Sequence, residues 1–196
     1  STTVLGEAQL RTSPLLDNAL RQVPGLSLFR RNSSLSANPT VQGVSLRSIG
    51  ASGAGRALVT LDGVPQNDPF GSWVIWSSLP GEDIEAVEVV RGAGSGPYGA
   101  GALTGVVALS ERTGTSAVVN MEGGEIGEWR TAGSGNVQFG RYSLGASAMY
   151  TTSGGWVPTD EAHRGPADTP LSLRASSASI HGGVEIVPGT QITGRF

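Results

Sequence analysis

Gly94-Ser95-Gly96-Pro97-Tyr98-Gly99 spells the G-x-G-x-x-G of a dinucleotide-binding turn and follows the strand-like residues 86–91. The chemistry would be a pyrophosphate held by backbone N–H groups at a helix N-terminus. The context does not support it. Residues 100–105 are too few and too glycine-rich for a crossover helix, a new strand begins at Val106, and no acid-ended strand follows ~20 residues on. The segment reads as a tight glycine link between two strands. Glu82, Asp83, Glu85 and Glu88 form an acidic cluster at a strand start. It reads as a solvated edge with charges at the start of a helical turn, ahead of acid/base or metal chemistry. Asp62 and Asp68 read as turn residues that hydrogen-bond their own backbone. Ser110-Glu111, His163 and His181 have no triad context. No catalytic residue, cofactor or metal ligand is assigned, and the chain is not expected to be an enzyme.

Composition narrows the classes further. The chain has 196 residues, no Cys, 30 Gly and a formal net charge of −3, and every basic residue is Arg. Without Cys there is no disulfide, thiolate metal site or Cys nucleophile. The weak negative charge argues against a nucleic-acid partner, which needs a clustered basic surface. Charged residues are only 15% of the chain, below the usual quarter. That points to polar turns or to contact with something other than water. The N-terminal residues 1–5 show no secretory signal pattern. No run reaches the ~18 apolar residues of a membrane helix, but β-barrel strands carry only a weak alternating signal.

The elements fall into two halves. Residues 1–112 read as mixed α/β. Ser13 is placed as N-cap and Pro14 as first residue of a helix carrying Asp17 in its first turn, with Leu16, Leu20 and Val23 on one face and Pro24-Gly25 as its stop. Strands follow at 26–30, 41–47, 57–61, 86–91 and 106–109, with Asp62-Gly63 as a turn and 80–84 as a single helical turn. Beyond Thr113 the pattern is β only. Tyr142, Leu144, Ala146, Ala148 and Tyr150 alternate with Ser143, Gly145, Ser147 and Met149. Trp129 to Phe139 repeats the aromatic ends, 139–142 forms a tight hairpin, and Ala178, Ile180, Gly182, Val184 and Ile186 alternate again. Short turns at one end and the long polar loop 152–170 at the other match outer-membrane barrels, with apolar residues facing lipid. An ordinary antiparallel sheet packing its apolar face on the first half fits the same periodicity.

Four segments in register are distinctive together: Leu20-Arg21-Gln22-Val23-Pro24-Gly25-Leu26; Leu58-Val59-Thr60-Leu61-Asp62-Gly63-Val64-Pro65; Ile84-Glu85-Ala86-Val87-Glu88-Val89-Val90-Arg91-Gly92; and Ser95, Tyr98-Gly99, Ala102, Gly105-Val106-Val107. Over residues 1–112 they resemble the plug domain of TonB-dependent outer-membrane receptors. Residues 113–196 resemble the first strands of the receptor's own barrel. The sequence departs from the family at Ala86, where Arg is usual, and at Ser48, where Gly is usual. Leu109-Ser110-Glu111-Arg112 replaces the usual plug exit and keeps its Arg.

The resemblance implies an α+β plug, a small mixed sheet with short helices, followed by antiparallel barrel strands in an incomplete barrel. The plug would block a polar lumen of the kind found in 22-stranded transporters, and residues 113–196 suffice for about four or five strands. It implies import of a small extracellular ligand, such as a metal chelate, cobalamin-like compound or saccharide, across the outer membrane. Partners would be TonB with ExbB and ExbD, reached through a segment expected upstream of Ser1, and outer-membrane lipid. Ligand contacts would fall on apical loops 48–56 and 67–76, at Ser52, Arg56, Asn67, Asp68, Phe70 and Trp73. Aromatic faces there would stack on rings or chelates while Asn and Asp orient them. Arg47, Glu85, Glu88 and Arg91 are the expected plug–wall contacts. Two further readings share much of this pattern: an outer-membrane adhesin or assembly protein with the same architecture, and a soluble periplasmic α/β binding module. The last requires the Tyr142 to Tyr150 apolar face to pack on the first half.

Overall fold

The computed structural model describes residues 2–11, 13, 15–29, 33–34, 42–46, 57–92 and 101–196. Two Val-rich segments set the centre of the first half. They are β6 (Ile84–Arg91) and β7 (Gly105–Glu111), paired antiparallel from Ile84↔Glu111 to Arg91↔Gly105. The chain enters along β6's other edge as β1 (Thr2–Gly6), and β4 (Ala57–Leu61) runs parallel to β7. β4 turns back through Asp62-Gly63 into β5 (Val64–Pro65). Both turn residues have positive φ, 47° and 83°, as a two-residue hairpin turn requires. The mixed sheet therefore runs β1-β6-β7-β4-β5. β-branched side chains suit its pleated surface, and Val59, Val87, Val89, Val106 and Val107 are buried in it.

Helices α1 (Glu7–Leu10) and α2 (Leu16–Leu20) bring Leu10, Leu16, Ala19 and Leu20 into the same core. A small antiparallel pair, β2 (Leu26–Phe29) and β3 (Gly43–Leu46), adds Leu26, Val44 and Leu46. α2 closes earlier than the expected Pro24-Gly25 stop, with Arg21 as its C-cap, and Gly25, at φ 76°, sits in the turn that leads into β2. At Gly105 a side chain is excluded outright: φ is 145°, and a Cβ would lie 2.2 Å from the Val90 carbonyl oxygen.

The helical start differs from expectation. α2 begins at Leu16 with Leu15 as N-cap, and Ser13 Oγ accepts from the Leu15 N–H at 3.4 Å. The Ser hydroxyl thus makes a local turn that delays the helix. α1 and β1 were not anticipated from the sequence. The Gln9 side-chain oxygen accepts from the Gly6 N–H at 2.8 Å, a capping role that supports this single turn. Strands expected at 26–30 and 41–47 are observed as β2 and β3; Arg30, Val41 and Arg47 lie outside the described residues, as do Pro14 and the glycine motif 94–99. The strands flanking that motif are antiparallel neighbours, so no βαβ unit surrounds it.

Residues 116–195 form one antiparallel meander: β8 (Ser116–Gly123), β9 (Trp129–Phe139), β10 (Tyr142–Ser153), β11 (Leu173–Val187) and β12 (Thr190–Arg195). β9, β10 and β11 have 11, 12 and 15 residues, enough for the roughly 9–11 residues of a tilted spanning strand. β8 and β12 are the edges, so the sheet is open.

Its faces are sorted. Along β10, Tyr142, Leu144, Ala146, Ala148 and Tyr150 are exposed, while Gly145, Ser147, Met149 and Thr151 are buried. Phe139 pairs with Tyr142 at the hairpin end, and Trp129 and Tyr150 mark the other end. The outer face is an apolar band between two aromatic rows. Small and polar residues face the first sheet. This overturns the alternative in which the apolar face packs inward: Leu144 is 52% exposed.

Candidate functional site

The first sheet meets the second through its charged residues. The 3₁₀ turn Gly81–Asp83 precedes β6 and carries two acidic side chains into the seam. The backbone fixes them: Asp83 N–H donates to the Pro80 carbonyl at 3.1 Å, and the Asp83 carbonyl accepts from Arg112 N–H at 2.8 Å.

Glu82 faces Arg130 on β9. Arg130 Nη1 and Nη2 donate to Glu82 Oε1 and Oε2, each at 2.7 Å, with side chains 5% and 7% exposed. This fork geometry fits guanidinium to carboxylate. The Glu82 carbonyl also accepts from Ser134 Oγ at 2.9 Å and Arg112 Nε at 2.7 Å. Arg112 in turn pairs with Glu7 of α1 at 3.2 Å. Burial pushes the Glu82 carboxyl up, but the Arg130 hydrogen bonds and charge, with the Asn120 contact and a backbone hydrogen bond, hold it below its usual 4.5.

Asp83 points to a second cluster. Its carboxylate, Glu111 at the end of β7 and His181 on β11 place one ligand-type atom each within 4.8 Å of one another. His181 Nδ1 is 3.4 Å from Glu111 Oε2, and His181 Nε2 meets Asn136 Oδ1 at 2.9 Å. Arg195 of β12 pairs with the other Glu111 oxygen. Gly145 of β10 lies between β9 and β11, and a Cβ there would sit 2.0 Å from Asn136 Oδ1 and 2.1 Å from His181 Nε2. Its missing side chain is what lets Asn136 and His181 meet across the intervening strand. Asp62 lies near this cluster and its Oδ1 accepts from Glu111 N–H at 3.2 Å. Burial raises the Asp62 carboxyl above its usual value, against the opposing charges of Arg195 and His181.

The expected ligand contacts divide in two. Asn67 is built into the loop: Oδ1 accepts from Val59 N–H at 2.7 Å, and Nδ2 donates to the Ala57 and Ser72 carbonyls, both at 3.2 Å. Asp68 Oδ1 accepts from the Phe70 and Gly71 N–H groups at 2.9 and 2.8 Å, an Asx turn. Phe70 is 96% exposed at the loop tip, Trp73 is half-buried over Gly71, and Trp76 is buried in the core. Ser52 and Arg56 lie outside the described residues.

The expected plug–wall contacts are placed differently. Arg47 lies outside the described residues. Glu85 accepts from Thr113 N–H at 3.1 Å, on the segment joining the two sheets. Glu88 is exposed, and Arg91 donates to the Pro24 carbonyl at 2.9 Å and to Thr3 Oγ1. Against the five strands of the second sheet, the seam runs through Glu82, Asp83, Glu111, Arg130 and His181. Reading Glu82 and Asp83 as part of a solvated edge is corrected: they are buried, at 8% and 1% exposure. The legible signal was Arg130, an isolated charge among the small and polar residues that alternate along β9.

A small mixed sheet, joined by buried polar contacts to an antiparallel sheet with an apolar outer band, is the architecture of a plug seated on barrel strands. The family model for the TonB-dependent receptor plug domain matches residues 1–106, and the chain belongs to that family. A 95-residue stretch is 32% identical to the heme/hemopexin utilization protein C of Haemophilus influenzae, covering 47% of this chain and 12% of that protein. Among solved structures, the ferric yersiniabactin uptake receptor FyuA of Yersinia pestis matches 94% of this chain and 28% of its own at 21% identity and TM-score 0.65. The siderophore receptor PirA of Acinetobacter baumannii matches 98% and 30% at 16% identity and TM-score 0.69. A mutant of the ferric enterobactin receptor PfeA of Pseudomonas aeruginosa matches 99% and 32% at 17% identity and TM-score 0.69. The chain thus spans under a third of these relatives' length, and the structural likenesses establish the fold.

Proposed function

We propose that the chain is the gating end of an outer-membrane receptor that captures an iron-bearing chelate or heme outside the cell and imports it. Residues 1–112 form the plug and residues 113–196 the first wall strands. TonB, energised through ExbB and ExbD, moves the plug, and outer-membrane lipid surrounds the wall. The observation that carries this is the sorting of β10: apolar Leu144 and Ala148 outward between aromatic rows, and Ser147 and Met149 inward against the plug. A plug held by polar contacts in a wet lumen can shift without exposing a large dry core. The ligand class rests on what the relatives are named for, heme and ferric siderophores. The exposed Phe70 at the apical loop offers an aromatic face to such a ligand.

The test is uptake of radioactive iron, supplied as heme or as a ferric siderophore, by cells whose only such receptor is the full-length protein. Uptake that stops when TonB is deleted or the proton gradient is collapsed supports import. Binding without energised uptake of any of these compounds contradicts it.

A further inference from the structure

We propose that Asp83, Glu111 and His181 form a binding site for one divalent transition-metal cation at the seam between plug and wall. The inference needs only the observed seating of the first sheet on the second, not the import function.

Three acceptor groups converge there without enough positive charge of their own. Asp83 is 1% exposed, and neither carboxylate oxygen has a hydrogen-bond partner among the described residues. An unpaired buried carboxylate is costly and calls for a partner. Glu111 gives one oxygen to Arg195, and its other oxygen faces His181 Nδ1 at 3.4 Å. His181 Nδ1 likewise has no hydrogen bond among the described residues. With Nε2–H donated to Asn136 Oδ1, the Nδ1 lone pair points at two carboxylates. This is the arrangement of a metal-ligating imidazole, whose other nitrogen is fixed by an outer hydrogen bond. Gly145 supplies the gap that permits that bond.

The donor set selects the metal. One imidazole nitrogen and two carboxylate oxygens suit Zn²⁺, Mn²⁺ or Fe²⁺, whereas Ca²⁺ and Mg²⁺ prefer oxygen alone. Ligand atoms within 4.8 Å close to the ~3.5 Å of a cation bound at about 2.1 Å by small side-chain rotations. Charge agrees: Asp83 and Glu111 against Arg195 leave a net negative site, with Asp62 nearby. Two ligands come from the plug and one from the wall, so an occupied site would clip one to the other.

The experiment uses the chelator-stripped full-length protein in detergent, titrated with Zn²⁺ against a chromophoric chelator. We expect one saturable equivalent, weakened at least tenfold by Asp83→Asn or His181→Gln and unchanged by His163→Gln. Gly145→Ala, which removes no ligand but displaces the His181–Asn136 bond, should weaken binding about 10–100-fold. X-ray absorption at the Zn edge of the unmutated protein should show one imidazole with oxygen ligands, independent of whether a variant folds. Absence of a saturable equivalent, or Asp83→Asn and His181→Gln proteins that keep the unmutated affinity, overturns the proposal. Neither outcome bears on the uptake test.

Discussion

Glu82 and Arg130 lie 48 positions apart and meet in a two-bond ion pair, 2.7 Å at each oxygen, that ties the plug's 3₁₀ turn to wall strand β9. The pair is buried, so its two members depend on each other more than on water. Desolvating both charges is expensive, and the attraction repays it only with good geometry. Here the fork is matched, and the Glu82 carbonyl is held by Ser134 and Arg112 as well.

Removing one member should therefore cost more than removing both. Arg130→Ala leaves the Glu82 carboxylate buried and is expected to destabilise plug seating by about 3–5 kcal/mol. The double variant Glu82→Leu/Arg130→Met should recover most of that loss. Urea unfolding of the full-length protein, followed by tryptophan fluorescence, measures both. An Arg130→Ala midpoint equal to the unmutated one would contradict the role given to this pair.

The same pair sets an acid limit. The folded Glu82 carboxyl titrates below its usual 4.5, so the folded state binds fewer protons than the unfolded chain. Its stabilisation is complete above 4.5 and is lost as pH falls through the folded value. The urea midpoint should therefore drop between neutral pH and pH 3, and drop less in Glu82→Gln, which lacks this proton. Parallel curves for the two proteins would contradict the assignment.

Asn67 and Phe70 share the apical loop but should fail differently. Asn67→Ala removes three hydrogen bonds to Val59, Ala57 and Ser72, and is expected to cost about 1–3 kcal/mol. Phe70→Ala removes an exposed ring, and stability should stay within about 0.5 kcal/mol. Heme or ferric-siderophore affinity should instead fall roughly two- to tenfold, the scale of one aromatic contact. Thermal unfolding and ligand titration on each variant separate the two roles. A Phe70→Ala protein with unchanged affinity for every such compound would remove Phe70 from the ligand surface.

Strands β4, β6 and β7 of the mixed sheet were legible because Val-rich runs between turn residues have few other solutions. β4 was expected and found at Ala57–Leu61, with Asp62-Gly63 as its turn. The outward stripe of β10 was legible because a period of two survives wherever one face meets lipid. The helix start was not, because the Ser13 hydroxyl bonds the Leu15 N–H and postpones it. β8 was not, because Val118 interrupts the polar row of Ser116, Asn120 and Glu122 and merges with Ala117 and Val119 into a short apolar run. The seam was hidden for a deeper reason. Glu82, Asp83 and Glu85 look alike in sequence, and only the turn Gly81–Asp83 decides that the first two point inward while Glu85 stays exposed. Partners 48 and 98 positions away, Arg130 for Glu82 and His181 beside Asp83, leave no local trace.

One face of β10 and β11 is expected to meet lipid while the other meets the plug. Residues 1–196 have no Cys; with any Cys elsewhere in the full-length protein replaced, single spin labels can be placed at Leu144 or Ile180 outward and at Ser147 or Ser179 inward, in protein reconstituted into bilayers. Collisions with oxygen, which concentrates in lipid, and with a water-soluble nickel chelate then report each environment. High oxygen and low nickel accessibility are expected at 144 and 180, and immobilised labels with low oxygen accessibility at 147 and 179. Labels at 147 and 179 that collide freely with oxygen, or a label at 144 buried against the plug, would contradict it.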